Sequence, residues 1–165
     1  MKKILKSTCI AVCLLAILIG LTGCKISLRD NKYKKICGNW QVNTKQGSCF
    51  TFEDDKTFYW YKSLDDKSDN YYKGKVEYYC GADALEELDI SYENALKLFE
   101  YTKGKITTDD IYCLKLKPTY LISAGVDKTS NVEGKEMTLL FIYIDEDTAQ
   151  AYNYNTMETY YLVKK

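Results

Sequence analysis

CFTFEDDKTFYWY, residues 49–61, holds two short apolar alternations around an acidic turn. Phe50 and Phe52 share one face at a period of two, as do Phe58 and Trp60, and Glu53-Asp54-Asp55-Lys56 supplies turn chemistry between them. A period of two buries one face of a strand, so the stretch predicts a β-hairpin. Residues 63–70 are polar and read as a surface loop. Tyr71 to Cys80 then repeats the pattern, setting Tyr72, Gly74, Val76 and Tyr78 against Lys73, Lys75, Glu77 and Tyr79. This predicts a strand with one wet face.

The period changes after Gly81. Asp83 with Glu86 three residues on has the form of a capping box, and Ala84, Leu85 and Leu88 give a short apolar stripe. Ser91 is placed to cap a second helix, in which Tyr92, Ala95, Leu96 and Phe99 recur at helical spacing, Glu93 can pair with Lys97, and Gly104 can end the run. Strands resume with Ile111 to Lys117, ended by Pro118, the only proline, and continue from Thr119 to Ser123. Gly125 to Lys135 is turn-rich. MTLLFIYI, residues 137–144, is apolar on both faces and predicts a central strand covered on one side by barrel or sheet and on the other by helix. Short turns lead on to Thr148–Tyr154 and Thr159–Val163, an antiparallel meander.

About seven to eight strands with one inserted helical pair, over roughly residues 82–102, predict a mainly β domain spanning 36–165. Its expected form is an antiparallel β-barrel or a strongly curved sheet. Sixteen tyrosines favour strands in the same way.

The N-terminus belongs to a different class of signal. Lys2, Lys3 and Lys6 precede an apolar run from Cys9 to Leu21, which is shorter than the roughly 20 residues that span a bilayer. Leu21-Thr22-Gly23-Cys24 closes it and resembles the lipobox of bacterial lipoproteins. The resemblance implies that residues 1–23 are a signal peptide, that the Cys24 thiol is acylated, and that Cys24 becomes the first mature residue. Two acyl chains suffice for stable membrane attachment. A signal-anchor helix with an incidental cysteine is the alternative. The expected location is the cell membrane, lipid-anchored and facing outside the cytoplasm. Residues 24–35, polar and without period after the cysteine, read as a tether, or alternatively as an edge strand.

Removing residues 1–23 leaves 20 basic against 23 acidic side chains, so the mature chain is mildly acidic. Nucleic acid is an unsuitable partner for such a domain. A single arginine, Arg29, among the basic residues hints at AT-rich codons and a Gram-positive source. Histidine is absent, which removes the commonest general base, the commonest zinc ligand and any Ser-His or Cys-His pair. No cofactor or metal motif is present, and the reading is a non-enzymatic domain.

Cys37-Gly38-Asn39-Trp40 opens the domain, and Gly38-x-Trp40 resembles the opening motif of lipocalins and other calycins. That resemblance implies a barrel closed at one end by Trp40; an ordinary core position is the other reading of this tryptophan. The later lipocalin motifs are not recognisable, and the helical pair falls mid-chain instead of after the barrel. As a whole the chain looks like small calycin-like lipoproteins of Gram-positive bacteria.

Candidate site residues follow from the strand pattern. Trp40, Phe58, Trp60, Tyr78 and Tyr152 form the expected inward-facing set, as core or as pocket lining, while Tyr59, Tyr61, Tyr79 and Tyr161 fall on the opposite face. Cys37, Cys49, Cys80 and Cys113 outside the cytoplasm suggest one or two disulfides, although each is also a suitable small core residue. Acidic runs at 53–55, 65–69, 83–89 and 145–147 read as solvated turns and helix surface. Two functions fit: binding a small apolar or carbohydrate ligand or a protein, and acting as an immunity or inhibitor lipoprotein that blocks a toxin or hydrolase. An enclosed apolar cavity favours the first; a filled core with a flat aromatic or acidic patch favours the second.

Overall fold

A computed structural model of the chain describes residues 31–44, 47–98 and 106–165. The expected signal peptide, Cys24 and the beginning of the expected tether lie outside the described residues, as do Phe99 and Gly104. The chain divides into two units, Met1–Lys34 and Lys35–Lys165. The second is a β-barrel.

Among the described residues the strands are β1 Gly38–Val42, β2 Cys49–Phe52, β3 Thr57–Tyr61, β4 Tyr71–Cys80, β5 Ile111–Ser123, β6 Val126–Asp127, β7 Met137–Tyr143, β8 Thr148–Asn153 and β9 Glu158–Lys164. Helix α1 covers residues 31–36, and α2 Ala82–Glu87 and α3 Tyr92–Lys97 lie between β4 and β5. Each strand pairs antiparallel with the next, except that β7 returns to β5 past the short β6 hairpin. Two long-range seams complete the ring. β4 pairs with β5 from Tyr71 opposite Ile122 to Cys80 opposite Tyr112, and β1 pairs with β9 from Trp40 opposite Lys164 to Val42 opposite Leu162. The result is a closed eight-stranded barrel with β6 as an extra strand. Closure removes the exposed edges that an open sheet would leave.

Alternation sorts the side chains. Trp40, Phe50, Phe52, Phe58, Leu114, Leu116, Leu139 and Phe141 point inward, each at most 1% exposed. Phe141 is the hub, with Trp40, Phe52 and Tyr112 edge-on to it at ring-centroid distances of 5.5, 6.3 and 6.3 Å. Eight strands enclose a space that side chains can fill, and here they fill most of it. At the end where β1 begins, the Trp40 indole N–H donates to the Ile36 carbonyl oxygen at 2.7 Å, and Lys164 Nζ lies 5.1 Å from the Trp40 ring centre. That end is shut.

A smaller core lies outside the barrel wall. Ala84 of α2 and Ala95 of α3 pack with Ile111 and Cys113 of β5 and Leu140 and Ile142 of β7. The double-faced apolarity of residues 137–144 is thereby explained, since Leu139 and Phe141 face in while Leu140 and Ile142 face the helices. Ser91 caps α3, its hydroxyl oxygen accepting from the Asn94 N–H at 3.2 Å.

Four expectations need correction. Pro118 does not end a strand: β5 runs through it, because a bulge makes Thr119 an extra residue between Pro118, opposite Gly74, and Tyr120, opposite Lys73. Asp83 does not cap α2; the N-cap is Gly81 at φ 69°, and no side chain bonds there. Tyr152 does not face inward. It is opposite Leu140 and packs on the outer core, while Ala149 and Ala151 occupy the interior, where the ring of Phe141 opposite Ala151 leaves room only for small side chains. Finally, residues 31–35, the expected end of a periodless tether, are helical, and the helix runs on into Ile36 of the expected domain, which is fully buried.

Candidate functional site at the barrel mouth

The second end of the barrel is open. β1, β3, β5 and β8 finish there, and β2, β4, β7 and β9 begin there. Phe50, Trp60 and Tyr72, on the neighbouring strands β2, β3 and β4, form a stack climbing towards this mouth. Centroids are 5.1 Å apart for Phe50 and Trp60 and 5.3 Å for Trp60 and Tyr72, with interplanar angles of 17° and 24°. Phe50 is fully buried, whereas Trp60 and Tyr72 are half-buried. The top of the stack is therefore wall, not core.

Two pockets open on either side of this wall and share Trp60, Tyr72 and Leu121. The larger, of about 540 Å3, adds Val42, Ser48, Lys62 and Ile122, while the smaller, of about 410 Å3, adds Pro118, Val132, Met137 and Asn153. Both volumes lie in the range of small-molecule sites. Sharing these three side chains, the two lie as adjoining lobes at the mouth, above an interior that Phe50, Phe52, Phe58 and Phe141 fill.

Turns around the cleft are tied down by side-chain amides. Asn70 accepts from the Ala124 N–H at 3.0 Å and donates to Asp66 at 3.1 Å, and the Gly125 N–H donates to the Asp69 carbonyl at 2.9 Å. These bonds clip the β3–β4 loop to the β5–β6 turn. Across the mouth, Asn153 accepts from the Asn155 N–H at 2.9 Å, and Asn155 accepts from the Thr138 N–H at 2.9 Å, fixing the β8–β9 turn to the start of β7. A cleft with fixed walls loses less entropy on binding. The Asp66 carboxyl is held below the usual carboxylate range, first by the Asn70 amide and then by the Asp69 N–H, with the Lys62 charge adding to them.

The outer face of the same strands carries a row of tyrosines. Tyr59 and Tyr61 stack at 5.5 Å, Tyr71 follows Tyr61 at 5.9 Å, and Tyr120 follows Tyr71 at 6.0 Å. Lys73 lies over Tyr59 and Lys67 over Tyr61, each at 5.4 Å. Burial, followed by the field of Tyr59, pushes the Tyr61 phenol up to about 12. Tyr79 instead donates to Glu77 at 2.6 Å, and Tyr161 stands 43% exposed on β9.

The expected site residues therefore divide. Phe58 and Trp60 line the cleft, Trp40 and Tyr78 are interior packing, and Tyr152 is on the outer wall. No disulfide joins any two of Cys37, Cys49, Cys80 and Cys113. Cys49 and Cys113 are fully buried as small core residues, on the face opposite the interior. Burial pushes the Cys113 thiol up to about 12, and burial with an Asp54 hydrogen bond does the same for Cys37. The acidic runs hold turns: Asp55 accepts from the Thr57 N–H at 2.8 Å and Asp145 from the Thr148 N–H at 2.7 Å, while Glu87 pairs with Lys115. Among the described residues no three His, Cys, Asp or Glu side chains come together as a metal site.

Tyr72, Leu121 and Lys62 were not singled out from the sequence. Alternation put Tyr72 on the inward face, but only the β4–β5 seam brings Leu121 beside it. No family model matches this chain, and no significant match to a curated protein or to a solved structure was found.

Proposed function

We propose that this chain is a lipoprotein, anchored through Cys24 at the outer face of the cell membrane, whose calycin-like barrel binds a small ligand at its mouth. The observation that supports this reading best is the two-lobed cleft on the Trp60–Tyr72 wall. It combines apolar side chains, a few polar groups and pinned turns at an open end of a barrel whose interior the described side chains largely fill. Helices α2 and α3 pack on the outer wall of β5 and β7, and none of their described residues lines the cleft. The role is binding, with no catalytic step.

A test is native mass spectrometry of the full chain extracted from its membrane in a non-ionic detergent. Wild type should carry a small bound mass that Trp60→Ala loses; an unchanged bound mass in Trp60→Ala would contradict the reading.

The immunity or inhibitor reading draws on the row of Tyr59, Tyr61, Tyr71 and Tyr120 on the outer wall. Aromatic rows of this kind serve as protein contact surfaces. It would be favoured over the cleft if Tyr59→Ala and Tyr120→Ala abolished a measured protein interaction that Trp60→Ala left intact.

A further inference from the structure

We infer that the larger lobe of the mouth cleft takes the anionic group of a ligand whose body is a flat or apolar ring system. This rests on the cleft being a ligand site and goes on to name the ligand's chemistry. Three observations carry it.

The first is the sign of the lining. In a chain with 23 acidic residues, no carboxylate among the described residues lines this lobe, while Lys62 and Trp60 do. Lysine and indole groups donate only. Neither Lys62 Nζ nor the Trp60 indole N–H makes a hydrogen bond to another described residue, in contrast to Trp40, whose indole is bonded to Ile36. Lys62 is exposed and makes no close ion pair among the described residues; the carboxylate that feels its charge, Asp66, is already held by Asn70 and the Asp69 N–H.

The second is what the stack presents. With Phe50, Trp60 and Tyr72 stacked at 5.1 and 5.3 Å, both faces of Trp60 are taken by its neighbours, so the ligand meets ring edges. Aromatic edges carry the positive end of the ring quadrupole. A neutral sugar, which stacks on an open aromatic face, has no such face at Trp60; an anion has donors and positive edges.

The third is space. The interior below is filled by Phe50, Phe52, Phe58 and Phe141, all at most 1% exposed, so a long acyl chain has no channel to enter. A lobe of about 540 Å3 walled by Val42, Leu121 and Ile122 suits a compact ring body.

The test uses two nearly isosteric probes, 2-naphthoate and 2-naphthamide, titrated calorimetrically into the full chain in non-ionic detergent. The naphthoate should bind about tenfold more tightly, as a charge-assisted hydrogen bond implies, and Lys62→Gln, at an exposed position, should bring the two to parity. Equal or reversed affinities in wild type would overturn the anion assignment while leaving the cleft as a binding site. A naphthoate preference that survives both Lys62→Gln and Trp60→Phe would overturn the assignment to these donors. Binding of neither probe would overturn the assignment and the ring-binding cleft together.

Discussion

Gly74 lies directly opposite Pro118 across the β4–β5 seam, so close that a Cβ on Gly74 would stand 2.1 Å from the Lys117 carbonyl oxygen and 2.7 Å from the Pro118 Cα. Both obstacles are backbone, which cannot swing aside as a side chain can. The bulge at Thr119 and the missing side chain at Gly74 together let a proline sit inside a barrel strand. Gly74→Ala should therefore destabilise the barrel by about 1–3 kcal/mol, the usual cost of forcing atoms into a packed site. Urea denaturation measures it. An unchanged midpoint would mean that the seam is looser than this geometry.

Trp40 and Trp60 are the two tryptophans, and the structure gives them opposite roles. Trp40 is fully buried with its N–H bonded, whereas Trp60 is half-buried in the cleft wall. Trp40→Ala should cost about 3–5 kcal/mol, as deletion of a large core ring does. Trp60→Phe should leave stability within about 1 kcal/mol, since the position is half-buried and phenylalanine keeps an apolar ring between Phe50 and Tyr72. A thermal unfolding series in which Trp60→Phe costs as much as Trp40→Ala would contradict the assignment of core and wall.

Much of this was legible beforehand, for a physical reason. Phe50, Phe52, Phe58 and Trp60 are large rings that alternate with the smaller or more polar Cys49, Thr51, Thr57 and Tyr59, so a period of two reveals their direction. β8, with the sequence TAQAYN, has no such contrast, because its outer face is buried by the α2–α3 core and its inner face holds alanines. Size is then a misleading guide, which points Tyr152 inward although it packs on the outer core. The cleft itself depends on the two closing seams, β1–β9 and β4–β5, which bring Leu121 beside Tyr72 and Val42 beside Leu162. Pairings between residues so far apart along the chain leave no local periodicity.

Buried thiols make the fold sensitive to alkali. The Cys113 thiol is raised from an ordinary value of 9.0 to about 12 by burial. The unfolded chain loses this proton near pH 9 while the folded chain keeps it, so stability is fully present below pH 9 and falls as pH rises towards 12. The slope from this group is about 1 kcal/mol per pH unit. Cys113→Ala should flatten the decline in a series of denaturation curves between pH 9 and 11. A slope identical to wild type would show that Cys113 does not carry it. In the wild-type protein, thiol reagent at pH 8 should leave Cys49 and Cys113 unmodified until urea is added, and four thiols, Cys37, Cys49, Cys80 and Cys113, should then react.

The anchor has its own test. Cys24→Ser should abolish labelling with radioactive palmitate and either release the protein from the membrane fraction or leave it unprocessed. Unchanged labelling in that variant would remove the lipoprotein reading while leaving the barrel and its cleft untouched.

The barrel is closed at the Trp40 end, and the proposed ligand enters at the Trp60 end. Selective 15N labelling of tryptophan gives two indole N–H signals, one per end. Adding 2-naphthoate to the full chain should move the Trp60 signal and leave that of Trp40, fixed on the Ile36 carbonyl, in place; a shift of Trp40 with Trp60 unmoved would contradict the account.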